Sequence, residues 1–276
     1  MTISAFLPVF NEEKRINDTL KSFIWCDEII VVDKESTDNT VELAQRFSSR
    51  VKIVSMKNTS NYEAKEWTLF LENCSSDWVI FVTASNVIHP LLAKKILTTI
   101  RQNSDSYDIL NIPFRRYVLG LETKKSPWYS ELSPKVMKTS AMTIVEGGVH
   151  DAVQFAGREL NIRLSSDCAM YHLTHESADG MINNHLRYWR GEAKGSTGDL
   201  TRPALRVCKE FIRIVVFKRT YLMGWDGVML MFAYLSYFMM SFVYRWEETR
   251  GMADRTYPVI RESISNQWSE MARDSL

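Results

Sequence analysis

The hydrophobic positions of the first hundred residues change period several times. Ile3-Ser4-Ala5-Phe6-Leu7-Pro8-Val9 and Glu28-Ile29-Ile30-Val31-Val32 are nearly continuous apolar runs, the pattern of strands covered on both faces. Between them Ile16, Leu20, Phe23 and Ile24 recur at helical spacing and predict a helix over 12–25. Thr37 or Asp38 is placed to cap a helix over 40–47. A short strand at 51–54, a helix over 62–73 and a strand at 78–82 follow. His89-Pro90 then opens a helix reaching Ile100, with proline in its first turn. This alternation predicts a parallel sheet with helices on both faces. Ligands of such sheets sit beyond the carboxyl ends of the strands. The informative positions are therefore Phe10-Asn11-Glu12, Asp33-Lys34-Glu35-Ser36 and Thr83-Ala84-Ser85-Asn86.

Beyond residue 107 the pattern is strand-like and irregular as far as Val153. This stretch carries the basic pair Arg115-Arg116 and the polar run Glu146-Gly147-Gly148-Val149-His150-Asp151. Short strands are expected over 158–175, a helix over 177–194 and a turn-rich break over 195–203. A basic amphipathic helix is expected over 205–217. From Gly227 to Tyr244 there are 18 consecutive uncharged residues, at the lower edge of a membrane-spanning length. Residues 245–276 read as a short helix with a loose tail. The expected organisation is an α/β domain over 1–200, in halves 1–105 and 106–200, then helices over 201–248 and a polar tail over 249–276.

Composition narrows the class. Among 276 residues, 45% are apolar and 24% charged, which excludes a disordered chain. The net charge of +1 argues against a global polyanion binder, so nucleic acid is not expected as a partner. Cys26, Cys74, Cys168 and Cys208 contain no C-x-x-C pair, which fits a reducing compartment rather than a disulfide scaffold. The apolar start runs into Asn11-Glu12-Glu13-Lys14-Arg15 without a basic lead, so a buried strand is expected there rather than a secretion signal.

Asp33, directly after a buried run, is a candidate acceptor for a nucleobase N–H or ribose hydroxyls; a turn or cap role is the alternative. Leu7-Pro8-Val9-Phe10-Asn11-Glu12-Glu13, Asp27-Glu28-Ile29-Ile30-Val31-Val32-Asp33 and Ser36-Thr37-Asp38-Asn39-Thr40 together resemble the opening of glycosyltransferase family 2. Gly148-Val149-His150-Asp151, Arg187-Tyr188, Gly224-Trp225-Asp226-Gly227 and Tyr244-Arg245-Trp246-Glu247 are similar to motifs of its lipopolysaccharide core glucosyltransferase-like branch. The resemblance runs in order over about residues 2 to 248. It implies a GT-A fold, Rossmann-like with a mostly parallel sheet, and a nucleotide-sugar donor bound at the N-terminal half. Phe10, Glu12, Asp33 and Arg187 are the donor-binding residues it implies. Transfer would proceed by one displacement with inversion, with Asp151 as general base and His150 beside it.

The family holds a divalent metal through an Asp-x-Asp motif after the fourth strand. Here that motif is degenerate: Thr83, Ser85 and Asn86 stand where carboxylates are expected, and neutral oxygens do not replace their charge. The family's Gln-Lys-Asn likewise reads Ala64-Lys65-Glu66. Three readings stay open. Cationic side chains neutralise the diphosphate without metal, with Arg115, Arg116, Arg187, Arg190 and Lys194 as candidates. Mg²⁺ or Mn²⁺ is held weakly through the diphosphate alone. Or catalysis is lost and the domain is a binding or scaffold protein in envelope glycan assembly. A nucleotidyltransferase would need a basic, glycine-rich loop after the first strand, and Phe10-Asn11-Glu12-Glu13 is acidic.

His172 and His175, with Cys168 nearby, form a metal site only with a further ligand in register; a structural role for His172 is the expected one. The basic helix beside an apolar segment suggests a membrane surface, and 227–244 spans, dips into the interface or packs as a core helix. The expected function is a hexosyltransferase acting on a glycolipid or lipid-linked glycan acceptor. The expected location is cytoplasmic, peripheral on the inner face of the membrane.

Overall fold

Alternate side chains of the first strands go to opposite faces, and each face has its own core. In a computed structural model, Ile3, Ala5, Leu7 and Val9 of β1 (Ile3–Val9) join Ile29 and Val31 of β2 (Glu28–Asp33) in one buried cluster. Phe6, Ile30 and Val32 join Trp67 and Phe70 in the other. Both strands are buried along their length, as their apolar runs require. The structure describes residues 1–58, 63–103, 105–144, 153–165, 167–194, 196 and 198–274.

The remaining strands are β3 (Val51–Ser55), β4 (Trp78–Phe81), β5 (Asn86–Ile88), β6 (Ile109–Val118), β7 (Leu132–Lys138), β8 (Met142–Ile144), β9 (Val153–Phe155), β10 (Glu159–Asn161) and β11 (Met170–Thr174). The main sheet runs β3-β2-β1-β4-β7-β6-β11-β5, with β10 beside β6, and β8 pairs separately with β9. β1 is parallel to both β2 and β4, so their carboxyl ends share one edge. β7 runs antiparallel between β4 and β6. The helices α1 (Ile16–Phe23), α2 (Thr40–Phe47), α3 (Glu63–Asn73) and α4 (Pro90–Asn103) connect the first strands. This is the mixed α/β sheet of the GT-A class.

The chain divides into units 1–183 and 184–276, with the boundary inside α5 (Ala178–Ala193). The second unit holds α6 (Thr201–Ile212), a wider π turn at Arg213–Phe217, α7 (Trp225–Arg250) and α8 (Met252–Asp274).

Three expectations change. The helix expected from Glu12 starts at Ile16, because the Glu12 and Glu13 amides donate to Thr40 Oγ1 (2.7 Å) and Asp38 Oδ2 (3.1 Å) instead. The break expected over 195–203 ends early: the Asp199 carboxylate accepts the Thr201 amide at 2.9 Å and α6 begins there. The loose tail is a 23-residue helix, set off from α7 by Gly251 at φ +51°. Tyr257, Ile260, Ile264, Trp268 and Met271 recur along it at helical spacing, all exposed.

At the opposite end of the parallel strands, the buried Glu28 carboxylate gathers Ser4 Oγ (2.6 Å), the Ser75 amide (2.9 Å) and Lys52 Nζ (2.5 Å). Burial alone would raise its pKa, but the Lys52, Ser4 and Ser75 hydrogen bonds outweigh it and bring the group to about 2. The folded pKa lies below the unfolded one, so this stabilisation is complete above about pH 4.5 and is lost as pH falls towards 2. It is expected to amount to about 1–2 kcal/mol, after allowing for screening at the half-exposed Lys52. Urea denaturation between pH 7 and pH 3 checks this, and Glu28→Gln should flatten the dependence.

In the second unit, a Cβ added at Gly227 would lie 2.0 Å from the Thr220 carbonyl oxygen. Gly227→Ala is therefore expected to cost roughly 1–3 kcal/mol, read as a lowered thermal midpoint.

Candidate active site

The loops after β1 and β2 are stitched to each other. Asn11 and Glu35 sit at φ +55° and +59° and turn the chain sharply past each strand end. The Asn11 amide donates to Ser36 Oγ (2.9 Å), and Asn11 Oδ1 accepts the Thr37 amide (2.8 Å). The buried Asp33 carboxylate accepts the Ser36 amide at 3.2 Å. Asp33 thus shapes the turn that the sequence offered as the alternative role, while standing at the shared edge. Glu12 holds Arg15 through Nε (2.8 Å) and Nη2 (2.6 Å). Burial pushes the Glu12 carboxyl up, and Arg15 offsets only part of that rise. Lys34 and Glu66 form a buried ion pair at 3.0 Å, which gives Glu66 a role within the protein. Phe10 lies half-buried at the end of β1.

Thr83, Ser85 and Asn86, with His172, form a closed hydrogen-bond network. The Thr83 amide donates to Asn86 Oδ1 at 2.8 Å. A backbone amide can only donate, so this bond fixes which end of the Asn86 side chain is oxygen. Asn86 Nδ2 then faces His172 Nδ1 at 2.8 Å, and Ser85 Oγ lies 3.0 Å from the same nitrogen. Nδ1 is therefore an acceptor, and the neutral imidazole carries its proton on Nε2. Thr83 Oγ1 closes the network to Ser85 Oγ at 2.9 Å. The pairing of β11 with both β5 and β6 supports the arrangement, with His172 opposite Asn86 on one side and Arg116 on the other.

The charges around this network are positive. Burial, then Arg116, Lys135, His175 and Arg15, bring the His172 pKa down to about 3. His175 is lowered by burial, Arg116 and Arg15. Lys135 is brought down to about 8 by burial and Arg116. Among the described residues no group of three or more His, Cys, Asp or Glu could hold a metal. The His172 lone pair is engaged, and the surrounding cations would repel another. The described residues do not fit a divalent cation held by this protein.

Other candidates separate. Arg115 is engaged by Glu122 (2.9 Å) and Asp167 (3.2 Å), so its charge is balanced within the protein. Arg116, next in the strand, lies over the Phe114 ring at 5.5 Å. Arg187, Arg190 and Lys194 belong to the second unit. His150 and Asp151 lie outside the described residues. Lys135 was not among the residues singled out from the sequence, although a proline inside a strand-like run, here Pro134, is a bulge signal.

The glycosyl transferase family 2 profile matches residues 4–160. An uncharacterised glycosyltransferase of Rickettsia typhi is 26% identical over 242 residues, covering 82% of this chain and 80% of its own. The lipopolysaccharide core biosynthesis glycosyltransferase LpsC of Rhizobium meliloti is 28% identical over 121 residues, 44% of each chain. Among solved structures, S. aureus TarS 1-349 in complex with UDP aligns over 91% of this chain and 92% of its own, with 16% identity and a TM-score of 0.49. With more than half its length matched by the profile, the chain belongs to glycosyltransferase family 2.

Proposed function

We propose that this glycosyltransferase moves a hexose from a nucleotide-sugar donor to a glycolipid or lipid-linked glycan, without a protein-held metal. The observation that carries the reading is the shared edge of β1, β2 and β4. There Asp33, Glu12 and the loops they organise stand beside a carboxylate-free, cation-surrounded motif. Asp33 and Phe10 are the groups we assign to the nucleoside. Glu12 acts through Arg15, which it holds in a forked pair.

In the displacement, the acceptor hydroxyl oxygen forms a bond to the anomeric carbon as its proton passes to a carboxylate, for which Asp151 is our assignment. The bond from the anomeric carbon to the β-phosphate oxygen breaks. Its electron pair leaves on the nucleoside diphosphate, and configuration inverts. The acceptor class is supported by the likeness to LpsC, a lipopolysaccharide core biosynthesis enzyme. It is supported also by the second unit's surface, where Leu205, Phe211, Phe217, Trp225 and Phe232 are exposed beside Arg206 and Lys209. Such a mixture suits an anionic membrane surface. α7 is long and apolar enough to cross a membrane, and a third of its most apolar window is buried within the protein.

Two outcomes test the reading. Incubation with a panel of nucleotide sugars and a glycolipid extract is expected to release nucleoside diphosphate from one of them. Asp151→Asn should lower kcat by roughly 10²–10⁴-fold while leaving donor affinity within about twofold. Retention of full turnover in that variant removes Asp151 from the role, and no turnover of any donor favours a binding protein. In vesicle sedimentation, Arg206→Glu with Lys209→Glu is expected to weaken binding to anionic vesicles by at least about tenfold, at ~1 kcal/mol per basic residue, and to leave neutral vesicles unaffected.

A further inference from the structure

Lys135 is brought to the motif by an irregularity in the sheet. Along the β6–β7 ladder Leu110 faces Val136, yet Asn111 faces Pro134, so Lys135 is the extra residue of a bulge. On its other side β7 pairs with β4 as far as Val136 opposite Ile80. Lys135 therefore lies at the carboxyl end of β4, next to Phe81 and just before the Thr83–Asn86 network. Bulges re-aim side chains in this way.

The ammonium is set against aromatic faces. Lys135 Nζ lies 4.8 Å from the Phe81 ring centre and 5.4 Å from that of Phe114. Phe114 in turn carries Arg116 on its ring at 5.5 Å and stands 5.8 Å from His172. Among the described residues Lys135 has neither a carboxylate nor a hydrogen-bond acceptor. Ring faces position an ammonium but do not neutralise it. Lys138, three residues on, is paired with Asp108 at 2.9 Å, so the unbalanced charge is particular to the bulge.

We infer that Lys135, together with Arg116, forms the subsite for the donor's diphosphate, supplying from side chains the counter-charge that a carboxylate-held cation supplies elsewhere in this enzyme class. The inference rests on the proposed donor chemistry and deepens it. As the anomeric carbon–oxygen bond breaks, the diphosphate gains negative charge, and a fixed ammonium at that place stabilises the leaving group without reorganisation. The Nε2 proton of His172, fixed by the Asn86 contact, gives the same subsite a neutral hydrogen-bond donor.

Calorimetric titration of the full chain with UDP, GDP and ADP in EDTA and in Mn²⁺ tests this, with the matching nucleoside as control. The expected result is that one diphosphate binds in EDTA, with Mn²⁺ changing its Kd less than about threefold. Lys135→Met should weaken that binding by about tenfold or more and leave the nucleoside unchanged, whereas Lys135→Arg should stay near wild type. An unchanged thermal midpoint shows that the variants fold. Binding that needs Mn²⁺, or a Lys135→Met protein that binds like wild type, overturns the inference and spares the nucleotide-sugar reading. Absence of binding by every diphosphate in both buffers overturns both.

Discussion

The parallel ladder of β3, β2, β1 and β4 is the constraint on which the rest depends. Parallel strands place all their carboxyl ends at one edge, and connecting helices carry the chain back to the other. Loops far apart in sequence therefore meet: Asn11 with Ser36 and Thr37, Glu12 with Thr40. Both faces of β1 and β2 are buried, so a slip of one residue would exchange the two cores. That burial holds the register of the strand ends from which these hydrogen-bonded loops start.

Charge is distributed unevenly along the strands. At the amino end, Glu28 collects Lys52 and two serines, and at the β6–β7 junction Asp108 takes Lys138. Along β6, Arg115 is answered by Glu122 and Asp167. The described residues thus pair most of their partly buried charges internally, as low-dielectric surroundings demand. Near His172, Lys135 departs from this habit, since it faces aromatic rings rather than a carboxylate among the described residues. Arg116, Lys135, His175 and Arg15 all act on one imidazole that burial already keeps neutral.

Much of this was legible in the sequence. The continuous apolar runs gave β1 and β2, Pro90 gave the start of α4, and the positions after each strand gave the edge where Asp33, Ser85 and Asn86 stand. The start of α1 was not legible, because amphipathic spacing continues through Glu12 and Glu13 while their amides are taken by a loop about 25 residues away. The helix expected within 245–276 was read as too short, because the apolar positions of α8 are sparse and its polar content resembles a tail. Lys135 was invisible for a different reason: a lone lysine carries no spacing, and its importance comes from a register shift against β6. His172 was noticed as a metal candidate, but its role depends on the orientation of an asparagine amide, which no sequence pattern encodes.

The carboxylate-free Thr83–Asn86 segment need not be read as an eroded metal site. Erosion of a metal site would be expected to leave buried polar atoms without partners, each costing about 1–3 kcal/mol. Here Thr83, Ser85, Asn86 and His172 satisfy one another, and the network is specific enough to fix a tautomer. What stays unsatisfied is charge rather than hydrogen bonding. The Lys135 ammonium, held against two ring faces, meets no carboxylate among the described residues. Destabilised arrangements of this kind are characteristic of places where a protein meets its ligand. A purely structural domain would lose nothing by placing a neutral side chain at the bulge, whereas a site for a diphosphate requires the cation there.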